Sequence, residues 1–474
     1  MTSHPLPQAA RDEWLPLDGE WTVELPSGSA PRPIRVPYTF ESPLSGIGAP
    51  NDVHERLRYR TTFALPRPWR GKRILLRFGA VDWRATVFVD GREAGGHEGG
   101  YAHWAIDLGE LTGEHELVVE VEDPAEDAFG QPKGKQRGSR DIWYARTTGI
   151  WRSVWLEPVP GEYIRDPWTD EVDLTVVGLD GEPRRWSPED PHLYDVELRL
   201  GDDLVRGYVG FRTIGRRGRE LLLNGEPIRL AGVLDQGYWP DGGYTATDDA
   251  LRADVEAAKA LGFNLARKHV KVEDPRWYAW CDRLGLLVAQ DMPSSHDLST
   301  EAARDRFRAE WLEAVGQLRT HPSVVLWIPF NEDWGEPPPD FQRELVAATR
   351  AADSTRLVVD ASGWRQLEDT DLVDVHDYGE RLTKHLGQRD DLPLWFGELG
   401  GLSVGTGDFA YRHVGDLAAG YRRIVEQVPP DAAGFVWTQL TDVEGEQNGF
   451  VTPDRRPKAD PQAIRRVNEA FLRS

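Results

Sequence analysis

Two glutamates close short apolar runs in the C-terminal half of the chain. One run ends Trp327-Ile-Pro-Phe-Asn331-Glu332, the other Leu394-Trp-Phe-Gly-Glu398. Cleaving a glycosidic bond needs a proton for the leaving oxygen and a partner for the cationic sugar, and two carboxyl groups about 5–5.5 Å apart supply both in retaining enzymes. Residues 332 and 398 are remote in the chain, so only folding can pair them. Asn331 is suited to holding a sugar hydroxyl. Trp334 and the prolines after it predict an apolar surround, which raises a carboxyl pKa and suits Glu332 to a general acid. Glu398 is then the nucleophile, held ionised by Arg267 and Tyr378. Asp333 and Glu336 are rivals further into the loop.

Other polar residues fall at the ends of similar runs. They are Asp235 and Gln236 after the first, His269 beside Arg267 after the second, and His376 and Asp377 before Tyr378 at the sixth. Trp437, in the eighth, is predicted to be a platform for a sugar face. With Asn331 and Trp334 these give a substrate-binding set of Asn331, Arg267, His269, Asp235, His376, Tyr378, Trp437 and Trp334. No second histidine stands at ligand spacing from His376, so no metal and no cofactor is expected.

The elements that must position these residues are eight apolar runs. They are Ile228–Val233, Asn264–Lys268, Leu287–Asp291, Val325–Phe330, Leu357–Asp360, Val373–Asp377, Leu394–Glu398 and Gly434–Thr438. Helical spacing separates several of them, over Asp248–Leu261, Glu301–Thr320 and Tyr411–Val428. The pattern predicts a (β/α)8 TIM barrel over residues 221–474, with its chemistry at the C-terminal strand ends. Connections around the sixth run are short for helices.

Residues 1–160 read as a jelly-roll β-sandwich, with strands at Tyr59–Leu65, Arg73–Phe78, Ala85–Asp90 and Glu116–Glu122. Asp90-Gly91 signals a hairpin. The glycines around His97-Glu98 read as a flexible turn. Residues 161–220 hold only three or four strands, at Val172–Val177, Tyr194–Leu200 and Leu204–Val209, a truncated β segment.

A chain of 474 residues exceeds one core and predicts two or three domains. The net charge of −23 argues against a nucleic-acid partner. No apolar run is long enough to span a membrane, and the N-terminus has no signal-peptide pattern, so a cytoplasmic protein is expected. One cysteine, Cys281, excludes an intrachain disulfide and a thiolate metal cage, and its aromatic neighbours predict a small buried side chain. The 19 tryptophans suit a carbohydrate-binding cleft.

Taken in order, these segments resemble glycoside hydrolase family 2, the family of β-galactosidases, β-glucuronidases and β-mannosidases. Thr148-Gly-Ile-Trp-Arg-Ser-Val-Trp-Leu156 is similar to the end of its jelly-roll, and Leu223-Asn-Gly-Glu-Pro-Ile-Arg-Leu-Ala-Gly-Val233 to its barrel entry. Asn264–Arg267 and Trp277–Leu287 resemble its second strand and helix, Gly434–Trp437 its eighth strand. The resemblance implies Asn331-Glu332 as acid/base motif, Glu398 as nucleophile and Tyr378 as its tyrosine contact. It also implies an immunoglobulin-like middle domain, here shortened, with which a homo-oligomer is compatible. Val270 and Gln236 stand where galactosidases of the family carry histidines, and the Asn-x-Lys pattern of its glucuronidases is not found. The expected activity is that of a retaining exo-β-glycosidase, β-galactosidase-like, acting on a carbohydrate. A β-glucuronidase or other family 2 specificity, a transglycosylase and a non-catalytic carbohydrate-binding protein are the alternatives.

Overall fold

A computed structural model describes residues 4–474 except 26, 27, 29, 51, 125–129, 169, 170, 387, 388 and 405–409. Each of the eight apolar runs contributes a parallel strand. They are β1 (Leu230–Asp235), β2 (Leu265–Lys268), β3 (Leu287–Asp291), β4 (Val324–Ile328), β5 (Leu357–Val358), β6 (Val373–Asp377), β7 (Leu394–Gly400) and β8 (Gly434–Thr438). Their order is β5-β4-β3-β2-β1-β8-β7-β6. Ile228, expected in the first barrel strand, instead closes a small meander of Ile214–Arg217, Glu220–Leu223 and Glu226–Ile228.

Side chains alternate across the strands. Leu230, Leu234, Leu265, Leu287, Val325 and Val436 fill the barrel interior with Leu221 of the meander and Trp186. Ala231, Val233, Ala266, Val288, Phe435 and Trp437 pack on the outer helical layer. Helices α1 (Asp248–Ala260), α2 (Pro275–Leu284), α3 (Glu301–Leu318) and α4 (Pro339–Ala352) follow β1 to β4, and α5 (Leu417–Val425) and α6 (Pro461–Arg473) follow β7 and β8. Thr247 and Thr300 cap α1 and α3 by accepting from the amides of Ala250 and Ala303 at 3.3 and 3.1 Å. Among the described residues no helix follows β5 or β6. The helix expected from Tyr411 begins only at Leu417, where Asp416 caps it; Arg412–His413 pairs with Leu402–Ser403 as short parallel strands.

The first part of the chain is a β-sandwich. A six-stranded sheet orders Arg32–Val36, Gly19–Glu24, Arg56–Ala64, Glu114–Glu122, Arg84–Val89 and Arg92–Glu98. A four-stranded sheet holds Leu15–Pro16, Val154–Val159, Arg73–Phe78 and Trp104–Glu110. Trp21, Tyr59, Phe63, Leu76, Phe78 and Val119 lie in the core between them. Asp90 and Gly91, at φ 50° and 74°, turn the chain so that Val89 pairs with Arg92, the hairpin that Asp-Gly predicts. Gly95 and Gly96 lie inside a strand rather than a flexible turn. Gly96 runs too close to the Ala85 carbonyl for a side chain, and His97 stacks on Trp104.

The middle segment is a three-stranded sheet of Asp173–Val176, Tyr194–Leu200 and Asp203–Val209 over a core of Ile164, Val196, Leu198 and Val205. Buried Arg11 ties it to the sandwich, donating to Asp203 at 3.0 and 2.7 Å and to Glu157 at 2.6 Å. Residues 130–148, in the connection between the sandwich strands that end at Glu122 and begin at Gly149, lie on the barrel mouth. There the amides of Lys133 and Gly134 donate to the Ser294 carbonyl at 3.0 and 2.9 Å, and Lys135 pairs with Glu446 at 2.8 Å.

Candidate active site

Arg267 is the hub of the mouth. Inward on β2 and fully buried, its guanidinium reaches the ends of β3, β4, β5 and β7 and lies 3.3 Å from His376 Nε2 of β6. Nε donates to Asp291 of β3 at 2.9 Å, Nη1 to the Gly397 carbonyl at 3.0 Å and to Glu398 of β7 at 3.2 Å, and Nη2 to Asn331 Oδ1 and Ser362 Oγ at 2.8 Å each. A planar fork with five donors suits this task. Glu398 is aimed by an irregularity in its strand. Phe396 and Leu399 both face the outer layer although three positions apart, because the register with β6 and β8 shifts between them. Such a bulge re-aims a side chain.

Glu332 lies four residues beyond β4, at φ 49°, and Asp333 follows at 56°. A left-handed backbone costs a non-glycine residue about 1–2 kcal/mol. The Glu332 amide is held by the Ser362 carbonyl at 3.0 Å. His376 of β6 stands between the two glutamates, with Nδ1 2.6 Å from Glu332 Oε1 and 3.6 Å from Glu398 Oε1. One oxygen of each glutamate and a nitrogen of His376 lie within 4.8 Å of one another. The Tyr378 hydroxyl donates to Glu398 Oε2, and its ring stacks on Tyr411 at 3.8 Å. His269 bonds Asp291 at 3.0 Å and lies 3.9 Å from Glu398.

Burial pushes the Glu332 carboxyl up, but the hydrogen bond from His376 and the ring's charge outweigh it and hold the group well below its ordinary range. Glu398 is likewise pushed up by burial and brought below its ordinary value by His376, His269 and Arg267. Burial lowers His376, yet Glu398 and Glu332 together raise it above 6.5. The apolar surround expected to raise Glu332 is thus overridden by the imidazole that lies between the carboxylates. The same three ligand atoms have the spacing of a cation site, but Arg267 already supplies the positive charge on Glu398.

Arg267, His269, His376, Tyr378 and Asn331 therefore surround the two glutamates, and Asn331 Nδ2 is buried with no hydrogen-bond partner among the described residues. Trp334 stands one shell out, its ring 6.3 Å from that of His269. Asp235 and Trp437 are not at the pair. Asp235 shares the outward parity of Ala231 and Val233; its carboxylate accepts from Lys268 Nζ at 2.9 Å, and that ammonium sits 3.9 Å over Trp277 of α2. Trp437 shares the outward parity of Phe435 and packs edge-on against Tyr421 of α5 at 4.7 Å. Both belong to the sheet–helix layer and not to a sugar platform. Asp377 holds its own loop, accepting from the amides of Gly379, Thr383 and Lys384. Cys281 is buried in α2, its thiol pushed well up by burial.

Several mouth residues escaped sequence reading. Asp291 and Ser362 anchor Arg267. Trp364, 60% exposed, stands at the rim near Glu332 and helps to lower its carboxyl. Lys135, Trp143 and Tyr144 come from the sandwich. The length of the Glu122–Gly149 connection was the available signal, since long irregular loops in compact domains are commonly functional.

A parallel barrel with one buried and one part-buried carboxylate facing across its mouth, fronted by a β-sandwich, is the architecture of a glycosidase class of protein. Three family descriptions match successive parts of the chain: Glycosyl hydrolases family 2, sugar binding domain, over residues 4–160; Glycosyl hydrolases family 2 over 166–212; and Glycosyl hydrolases family 2, TIM barrel domain, over 215–385. The chain belongs to glycosyl hydrolase family 2. It is similar to a beta-galactosidase of Thermoanaerobacter pseudethanolicus, 25% identical over 68% of this chain and 50% of that one, and to a beta-glucuronidase of Canis lupus familiaris, 24% identical over 80% and 75%. Against the first three curated relatives it spans half of their length or less. Among solved structures, a Bifidobacterium dentium beta-glucuronidase complexed with coumarin-3-O-glucuronide superposes with a TM-score of 0.82 at 19% identity, covering 98% of each chain. A GH2 beta-galacturonidase from Eisenbergiella tayi bound to galacturonate gives 0.81 at 18%, again over 98% of each. At such identity these likenesses show the fold alone.

Proposed function

We propose that the chain is a retaining exo-β-glycosidase that hydrolyses a terminal sugar from a β-glycoside. The observation that carries this reading is the Glu332–Glu398 pair, one oxygen of each within 4.8 Å, which matches the retaining arrangement. Glu398, ionised and oriented by Arg267 and Tyr378, attacks the anomeric carbon. The bond to the leaving oxygen breaks as Glu332 delivers the proton it shares with His376. A glycosyl ester on Glu398 results. The Glu332–His376 pair, now short of that proton, takes one from water as the water attacks the anomeric carbon, and the bond from that carbon to Glu398 breaks to release the carboxylate. Asn331 Nδ2, otherwise unpaired, is placed to donate to a sugar hydroxyl.

Basic groups bordering the pair are already matched, Arg267 by Asp291 and Glu398 and Lys135 by Glu446. That favours a neutral terminal sugar over a uronate and supports the β-galactosidase-like reading. The uronate names of the solved neighbours keep a β-glucuronidase as the second reading.

Turnover of 4-nitrophenyl β-galactoside and β-glucuronide separates the two sugars. Glu398→Gln is expected to fall to background on the preferred one. Glu332→Gln loses about 10²–10⁴-fold, the range for a positioned acid. Proton NMR of the first-formed product should show retained configuration; an inverted product would sink the role given to Glu398.

A further inference from the structure

A cavity of about 710 Å³ lies where the three domains meet, and none of the residues around the glutamate pair lines it. Its apolar walls come from Leu75 and Trp104 of the sandwich, Ile164 and Val205 of the middle segment, and Val272 and Leu318 of the barrel. All six are buried. A space of this size, with apolar walls and a few polar groups, is in the range of small-molecule sites.

The polar groups in these walls are unequally matched. Arg77 donates through Nε to Glu157 at 2.8 Å, a carboxylate it shares with Arg11. Its Nη1 and Nη2 have no hydrogen-bond partner among the described residues, although the residue is buried. Arg152 is buried too, and no described carboxylate pairs with it. Its guanidinium donates to the carbonyls of Gly79, Tyr101 and Val272 at 3.4, 2.6 and 2.5 Å, and Nε is unpartnered. Trp104 Nε1 is unpartnered as well. The His103 ring makes no hydrogen bond among the described residues; burial and the charges of Arg77 and Arg152 hold its pKa down to about 3, so it is neutral. The carboxylates of the walls, by contrast, are taken. Asp107 accepts from Arg73 and Tyr163 at 2.9 Å each, Glu273 from Lys271 at 2.8 Å and Asp166 from the Trp168 amide at 2.9 Å, while Glu313 lies 3.1 Å from His97 Nε2.

Spare donors against matched acceptors define the occupant. A neutral polar molecule would leave the Arg152 charge without a counter-ion, and buried charges are ordinarily paired. A cation would meet two guanidinium groups. A mineral anion would leave the apolar walls uncovered. A carboxylate on a hydrocarbon body answers both features: its two oxygens fit the Nη1 and Nη2 fork of Arg77, and its body covers Leu75, Val205 and Leu318. We infer that this cavity binds a small carboxylate with an apolar body, anchored by Arg77, at a site separate from the glutamate pair. Because its walls belong to three domains, such a ligand binds only the assembled chain and raises its melting temperature.

The test titrates the whole chain calorimetrically with three probes: 3-phenylpropanoate, its neutral amide, and propanoate. The first is expected to saturate a single site. The amide should bind about 10-fold more weakly, the scale of one hydrogen bond to a charged group, and propanoate about 10-fold more weakly for want of the buried ring. Arg77→Lys keeps a charge for Glu157 but removes the fork, and should weaken 3-phenylpropanoate about 10-fold while leaving the amide within about 3-fold of wild type. Equal affinity for acid and amide, no saturable signal from the acid, or unchanged acid affinity in a folded Arg77→Lys sample would each overturn the site. A crystal soaked in 3-phenylpropanoate reads the position without any variant: density against Arg77 supports the site, and density at the barrel mouth with none against Arg77 overturns it.

Discussion

At the residue scale, one proton among three side chains governs the chemistry. His376 is placed to share it, 2.6 Å from Glu332 and 3.6 Å from Glu398. Glu398 must be ionised to attack, and its pKa lies below 4.5, so the acid limb of a rate profile falls below the ordinary glutamate range. The alkaline limb follows loss of the shared proton through the raised pKa of His376, above 6.5. Replacing the ring by asparagine removes the cation that depresses both carboxylates, and two like charges this close force one of them up. His376→Asn is therefore expected to lower kcat and to move the acid limb of kcat/KM to higher pH; a profile with both limbs unmoved would refute the proton's placement. Stability follows the same signs. The raised His376 contributes fully below 6.5 and its contribution is lost as pH rises through the folded value, whereas the depressed glutamates contribute above 4.5 and lose that contribution as pH falls through theirs. His376→Asn should consequently melt lower than wild type in the window around pH 4.5–6.5, where all three contributions overlap.

Among the elements, strand parity explains both what the sequence revealed and what it hid. The eight apolar runs, their order and the two terminal glutamates were legible because buried parallel strands read as unbroken hydrophobic stretches. Parity was legible too: Asp235 alternates with Val233 and Ala231, and Trp437 with Phe435, so both belong outside the barrel, while Arg267 alternates with Leu265 and belongs inside. The bulge that turns Glu398 inward breaks that same rule and leaves no mark in a single sequence. Nor does the His376–Glu332 contact, which joins residues 44 positions apart. Helix α3 carries a further buried carboxyl of this hidden kind. Glu310 accepts from the amides of Gly100 and Tyr101 in the sandwich at 2.7 and 3.1 Å, and burial, with the charge of Asp82, pushes it up to about 8. The folded chain then keeps a proton that the unfolded chain releases near 4.5, so stability declines as pH rises between those values. Glu310→Gln keeps an oxygen for the amides and removes the titration. Its melting temperature relative to wild type should be more favourable at pH 8 than at pH 5, measured by circular dichroism. A gap that is the same at both pH values would contradict the assignment.

For the whole molecule, the question is whether sandwich and barrel are separate bodies or one. The contacts between them are buried and polar, and several carry full charge. Lys135 of the sandwich loop pairs with Glu446 beside the barrel mouth, both almost fully buried, and Tyr144 donates to the same carboxylate at 2.6 Å. Arg152, also buried, donates to the Val272 carbonyl at 2.5 Å. Glu310 binds two sandwich amides from the barrel side, and Arg11 links the sandwich to the middle sheet. Unfolding the sandwich alone would strand Glu446 and Glu310 in a barrel surface shaped to exclude water, so independent melting is disfavoured. Scanning calorimetry of the intact chain is therefore expected to show one cooperative transition; two well-separated peaks would show that these contacts do not couple the domains. Lys135→Met makes the same argument quantitative. It leaves a buried carboxylate with a tyrosine hydroxyl and a long contact from the Asn448 amide but no cation, a loss on the order of 3–5 kcal/mol for a broken buried pair. Because Tyr144 rides on the loop that Lys135 fastens beside the mouth, the variant should lose glycoside turnover at temperatures where circular dichroism still shows it folded; turnover that falls only with unfolding would contradict the coupling.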